Sequence, residues 1–259
     1  MKKLLALLLA VSMLFCLAAC SGGNTKTESD LAYIQEKGTL VVGMTVYEPM
    51  NYKDDNGEWT GFDTEFAQAV GKELGVDVEF QVIDWDNKWA TLESKKIDVV
   101  WNGMTISDEA LKNASCTNAY VLNAQVVVMK ADKVEAYKDV ASMKDLTFSV
   151  EAGSAGKDIA AENDLKYKEY TAMTDAVTAV ETGKTDACII DITMANAMTG
   201  EKTSFTDLAI GISLTEEEYG IACRQGSDLT AKLNELIAAM KADGSLQTLA
   251  DKYSVTLAE

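Results

Sequence analysis

The chain contains one short pattern twice. Residues 92 to 103, LESKKIDVVWNG, and residues 180 to 191, VETGKTDACIID, share a helix end, a polar turn with a lysine, an aspartate and a short apolar strand. At an offset of 88 residues Glu93 falls on Glu181, Lys96 on Lys184, Asp98 on Asp186, and Gly103 on Asp191. A chain of this length could form one large domain or two small ones. The echo decides for two, because each half owns an equivalent helix, turn and strand unit that has to be packed locally.

The surrounding pattern is α/β in both halves. TLVVGMTV (39 to 46), VDVEFQVI (76 to 83) and IDVVW (97 to 101) read as strands. Between the first two, GFDTEFAQAVGKELG predicts a helix with Asp63 as N-cap, an apolar face at Phe62, Phe66, Ala69, Val70 and Leu74, and Gly75 at its end. In the second half LTFSV (146 to 150) and DACII (186 to 190) flank a helix over 172 to 183. Strands alternating with helices imply parallel sheets. Residues 124 to 131 and 218 to 223 read as two crossover strands, so that the chain goes out to a second lobe and returns, and closure about a hinge is the natural motion. Leu229, Leu233, Leu236, Ile237 and Met240 form a stripe at helical spacing that reads as core packing.

The N-terminus reads as a leader. MKK precedes an apolar run from Leu4 to Ala19, and LAAC at 17 to 20 resembles the lipobox of bacterial lipoproteins. That resemblance makes residues 1–19 a signal peptide, Cys20 the lipidated N-terminus, and residues 20–32 a flexible tether to the membrane surface. Basic side chains number 23 against 41 acidic ones, and losing Lys2 and Lys3 with the leader makes the body more acidic still. Such a body repels phosphate backbones, which excludes nucleic acid as a partner. Beyond the leader and Cys20 the remaining cysteines are Cys116, Cys188 and Cys223, an odd number without a CxxC pair, so neither a disulfide framework nor a zinc site is readable. The chain has no histidine, the commonest general base and transition-metal ligand. No cofactor or metal is expected, and catalysis is a minority reading.

Three stretches, YEPMNYKDDNGEWTGFDTEFAQAVGKELGVDVEF, WATLESKKIDVVWNGMTIS and YGIACRQGSDLTAKLNELIAAMKADGSLQTLADKY, closely resemble the extracellular substrate-binding proteins of polar amino acid ABC importers. The resemblance implies the type II periplasmic binding fold, two α/β lobes closing on a small solute. Here lobe 1 would comprise residues 33–125 with 222–259, and lobe 2 residues 126–221 with the crossovers. It also implies a monomer that works with a membrane permease and an ATPase, outside the cytoplasm. Carried over residue by residue, the ligand would be sandwiched by Tyr47 and Trp85, meet Asn102, Gly103 and Thr105 at the turn after the lobe 1 strand, and give its ammonium to Asp191. The same positions lie beyond the carboxyl ends of parallel strands, where ligands of open α/β sheets bind.

One expected charge is missing. Relatives of this kind carry an arginine on the helix after the turn, which grips the ligand's α-carboxylate; the matching residue here is Ala110. The lobe 2 loop EAGSAG offers Ser154 and Ala155 where a hydroxyl usually adds to that grip, and a further family acid falls near Thr45. The chain's one arginine, Arg224, sits in the return crossover. Asp191, Glu151, Tyr47, Trp85 and Trp101 would suit a cationic amine, through an ion pair and cation–π contacts. The reading that follows is a receptor for an amine-bearing solute with reduced dependence on an α-carboxylate. Its alternatives are an ordinary amino acid held by an altered clamp, a dehydratase-type enzyme on the same fold, and a solute-sensing receptor. Beside these, Trp101 can equally be a core residue, one of Trp85 and Trp89 is expected to pack inward while the other faces the cleft, and Asp98 and Asp186 read as turn or capping residues.

Overall fold

The computed structural model describes residues 29–259. The leader, Cys20 and most of the tether lie outside the described residues. The first group of elements is α1 (Asp30–Lys37), β1 (Thr39–Met44), β2 (Tyr52–Lys53), β3 (Trp59–Thr60), α2 (Phe62–Leu74), β4 (Asp77–Val82), α3 (Lys88–Glu93), β5 (Val99–Thr105), α4 (Asp108–Asn113), β6 (Ser115–Cys116) and β7 (Val121–Asn123). The second is β8 (Gln125–Lys130), β9 (Thr147–Glu151), α5 (Ala155–Glu162), β10 (Lys166–Tyr170), α6 (Met173–Glu181), β11 (Ala187–Asp191), α7 (Ile192–Met198) and β12 (Leu208–Ser213). The chain then returns through β13 (Glu217–Cys223) to α8 (Leu229–Ala242) and α9 (Ser245–Tyr253).

Two large sheets result, ordered β4-β1-β5-β13-β6, with β7 also on β13, and β10-β9-β11-β8-β12, beside the small pair β2-β3. In each, three strands run parallel and the fourth is antiparallel to its neighbour, so the sheets have one plan. The repeated sequence is the seam of that plan. Asp98 accepts from the Val41 N–H at 2.8 Å while its own N–H donates to the Val41 carbonyl at 2.8 Å. Asp186 repeats the pair with Thr147, again at 2.8 and 2.8 Å. Both aspartates are therefore turn residues that lock the central strand to its parallel neighbour, as their place before the apolar runs suggested.

The lobes are joined where the chain leaves one sheet for the other. The outward crossing is the step from Asn123 on β7 to Gln125 on β8, and the return lies between Ser213 and Glu217. The two crossings hold each other: the Leu214 N–H donates to the Gln125 carbonyl at 2.8 Å, and the Gln125 N–H to Thr215 Oγ1 at 2.9 Å. β13 pairs with the first sheet from Glu217 onward, so pairing puts the return crossing earlier in the chain than 221–222.

Helix α2 begins differently from the expectation. Its N-cap is Gly61 at φ 119, and a Cβ there would lie 2.3 Å from the Met50 carbonyl oxygen. The first-turn N–H groups of Phe62, Asp63 and Thr64 donate to the Pro49 and Met50 carbonyls at 2.8, 3.0 and 3.2 Å. With those donors satisfied by backbone, Asp63 is released from capping and its side chain turns inward. The stripe of α8 does what its spacing predicts, with Leu229, Leu233, Leu236, Ile237 and Met240 all buried. Trp101 is core: it is fully buried, edge-on to Phe66 at 4.9 Å between centroids.

Candidate functional site

A polar cavity lies between the two sheets, at the carboxyl ends of their central strands, and both lobes line it. From the first come Thr45, Tyr47, Trp85, Lys88, Trp89, the β5 end from Asn102 to Thr105, Ser107 and Glu109; from the second Glu151, Gly153, Ser154, Ala155, Asp158, Met173 and Asp191. Tyr47, Trp85, Asn102, Gly103, Thr105, Ser154, Ala155 and Asp191 thus converge on one cavity. Ala110 does not. It is buried in the cluster of Trp85, Leu92, Ile97, Val100 and Met104, because a methyl group is too short to leave the core and reach the cavity.

The end of β5 is rigidly braced, and Asn102, Gly103 and Thr105 are part of that strand, where the resemblance put them at the turn after it. Asn102 Oδ1 accepts from both the N–H and the hydroxyl of Thr45 at 2.9 Å, and its amide donates to the Thr45 carbonyl at 3.0 Å and to Asn51 Oδ1 at 2.7 Å. Its side chain is fully engaged in tying β5 to the end of β1. Gly103 sits at φ +55, and a Cβ there would come within 2.6 Å of the Tyr47 ring. Its N–H donates to Asp63 Oδ2 at 2.6 Å, so that group points into the scaffold. Tyr120 hydroxyl and Trp101 Nε1 complete the shell of Asp63, at 3.0 and 3.2 Å. Burial raises the Asp63 carboxyl to about 7, against the pull of these three donors.

Across the cavity the carboxylates are built the other way. Asp191 Oδ1 accepts from Asn123 at 2.5 Å, the Tyr219 hydroxyl at 2.8 Å and Gln125 at 2.9 Å. Among the described residues no donor reaches its Oδ2. Glu151 is 2 % exposed, and its buried Oε1 has no partner among the described residues. Burial is the main cause that raises Asp191 to about 7, with Glu217 beside it adding to the effect. Burial, with Asp191 nearby, likewise raises Glu151 to about 8. Tyr47 links the lobes: its hydroxyl meets the Tyr219 hydroxyl at 2.5 Å and also Thr193 on α7. Thr105 hydroxyl donates to Glu217 at 3.0 Å.

The cation of the site is one that sequence reasoning missed. Lys88 is 4 % exposed and lines the cavity, its ammonium 5.0 Å from the ring centroids of both Trp85 and Trp89. Both tryptophans line the cavity, so neither is turned away from it. Arg224 is elsewhere, clamped on Asp30 at 2.9 to 3.1 Å and on the Ile97 carbonyl at 2.8 Å. Ser154 is a helix cap, its Oγ accepting from the Lys157 N–H at 3.2 Å. Among the described residues no group of acidic or cysteine side chains is arranged to hold a metal ion, and the three cysteines are free, Cys116 half-buried and the others buried.

Two α/β lobes, joined by paired crossings and meeting over a polar cavity, define a solute-binding protein of the type II periplasmic kind. The chain belongs to the bacterial extracellular solute-binding proteins, family 3, whose sequence model matches residues 40–256. It is 31% identical over 251 residues to the L-cystine-binding protein TcyJ of Escherichia coli, covering 94% of each chain. It is also 31% identical over 260 residues to the arginine-binding extracellular protein ArtP of Bacillus subtilis, covering 98% of each. Among solved structures, an ancestral amino acid-binding protein, a precursor of cyclohexadienyl dehydratase, superposes with a TM-score of 0.80 at 31% identity, covering 87% of this chain and 99% of that one.

Proposed function

We propose that this protein is the receptor of an ABC importer and captures a small amine-bearing solute, an amino acid or a cationic amine, between its lobes. In this reading it works outside the cytoplasm, held to the cell membrane by lipid on Cys20, and delivers its solute as a monomer to a permease and ATPase. The observation that carries the reading is that Asp191 and Glu151 both line the cavity, and each has a carboxyl oxygen that no donor reaches among the described residues. A buried acceptor left unpaired, as Glu151 Oε1 is, costs about 1–3 kcal/mol, and more when charged. A ligand ammonium supplies what both oxygens lack. The names of the relatives fit, since cystine and arginine both present ammonium groups.

The test is a thermal-shift screen of amino acids, amines and small cations, repeated on Asp191→Asn and Glu151→Gln, with the incubated compounds recovered and analysed. An amine-bearing compound is expected to give the largest stabilisation in the native protein, to lose it in the variants, and to be recovered unchanged. Stabilisation by amine-free compounds alone contradicts the reading. So does a turnover product, which would point instead to dehydratase-type chemistry with Glu151 as the acid.

A further inference from the structure

Lys88 is a buried ammonium whose hydrogen-bond capacity is incompletely used. It donates to the Gly153 carbonyl at 2.8 Å and, more weakly, to the Trp85 carbonyl at 3.3 Å. An ammonium has three donors, and no carboxylate among the described residues closes on this one to ion-pair distance. The acids that act on it, Glu109, Glu151, Asp86 and Asp158, do so through space. Glu109, the foremost of them, is itself held by Trp89 Nε1 at 2.9 Å. Two indole faces flank the charge and fix its direction, a setting that tolerates a cation with little water.

The bond to Gly153 places this charge at the seam between the lobes. Gly153 sits at φ +68, and a Cβ there would lie 2.8 Å from Asp86 Cα, so only a glycine lets the loop come this close to the Lys88 segment. The same loop leads into the N-terminus of α5, where Ser154 and Ala155 line the cavity. A partly unpaired ammonium and the start of a helix therefore border one end of the cavity. Asp191 and Glu151 line its second-lobe side.

We propose that Lys88 receives the anionic group of the ligand, which is a zwitterion, and so takes the place of the arginine absent at Ala110. The inference rests on the reading of the cavity as an amine receptor but adds a second charge to the solute. A lysine on a different helix does what an arginine after the β5 turn would do, as a point charge in place of a planar fork. Carboxylate-free amines then lack one of their two anchors and meet an ammonium with the same charge as their own. Lys88 is a positioning and specificity residue of the binding site.

The experiment uses calorimetry on the full-length protein, its Lys88→Met and its Lys88→Arg, with three matched sets of probes. These are L-amino acids, the amines left by their decarboxylation, and the carboxylates left by their deamination. In the native protein the preferred amino acid is expected to bind at least about 100-fold more tightly than its decarboxylated amine. Lys88→Met is expected to cut that margin to within about 3-fold, and Lys88→Arg to keep most of it. A merely structural role would weaken all three sets together and leave the margin unchanged, which overturns the proposal. A native preference for the amine overturns it too. If deaminated carboxylates bind and lose affinity in Lys88→Met while amines never bind, the anion site stands and the amine reading of the cavity fails.

Discussion

Asp63 and Asp191 are both buried carboxyls that burial raises to about 7, yet they are built to opposite ends. Asp63 lies in the first lobe with both oxygens satisfied: Trp101 donates to Oδ1, and Gly103 and Tyr120 to Oδ2. Asp191 lies at the end of β11 with three donors on Oδ1 and, among the described residues, none on Oδ2. Neither depth of burial nor proton affinity separates the two. Saturation does: the satisfied acid is scaffold that fixes Gly103 at the end of β5, and in the proposed reading the half-satisfied acid receives the solute's ammonium.

The largest expected effect that sharpens this contrast is Asp191→Asn. Removing one partner of a buried charged pair costs about 2–5 kcal/mol of binding, so calorimetry should find the preferred ligand weakened by well over tenfold. The amide oxygen still accepts the three bonds now on Oδ1, so urea unfolding of the ligand-free protein should change little. Asp63→Asn reverses the pattern. Either amide orientation aims an NH2 group at existing donors, and unfolding stability should fall by about 1–3 kcal/mol while the ranking of ligands is kept. If both variants damage stability alike, the contrast breaks.

A smaller effect is expected from Tyr47→Phe, which keeps the ring and deletes the hydroxyl that joins Tyr219 and Thr193 across the lobes. Loss of such bonds costs about 0.5–1.5 kcal/mol, read as a roughly threefold to tenfold rise in Kd. The pH dependence tests the acids together. Asp63, Asp191 and Glu151 have folded-state values above their ordinary ones of 3.8 and 4.5, so the folded state holds more protons than the unfolded state between the two. Their contribution to stability is full below about pH 4 and is lost as pH rises through about 7 and 8. Thermal unfolding of the ligand-free protein should show that decline, and Glu151→Gln should remove its upper part.

Much of the fold was legible because the echo at 92–103 and 180–191 reports a repeated constraint, the aspartate that locks a central strand to its parallel neighbour. The stripe of α8 was legible for the ordinary reason that apolar spacing reports burial. The start of α2 misled, since an aspartate beside an apolar run satisfies every local rule for an N-cap. What overrode it was tertiary: the Pro49 and Met50 carbonyls took the cap's work, and only the odd conformation demanded of Gly61 hinted at that. Of the site, the positions that gather at the cavity were named by the resemblance, and most of them lie beyond strand ends, where ligands of open α/β sheets bind. Lys88 was missed because a lysine in a polar turn reads as solvated. Its one signal was its position between two tryptophans at 85 and 89, a cage for a cation that the chain itself supplies.

The most direct measurement counts protons. The amine-bearing compound with the largest thermal shift is titrated at pH 7 in buffers of different ionisation enthalpy, and the proton exchange is read from the buffer dependence of the heat. With Glu151 raised to about 8 and Asp191 to about 7, the empty site holds protons that an ammonium must displace. The account predicts release of close to one proton per ligand, reduced in Glu151→Gln. Binding with no proton release, or with uptake, would contradict a cavity whose unpaired carboxylates await a cation.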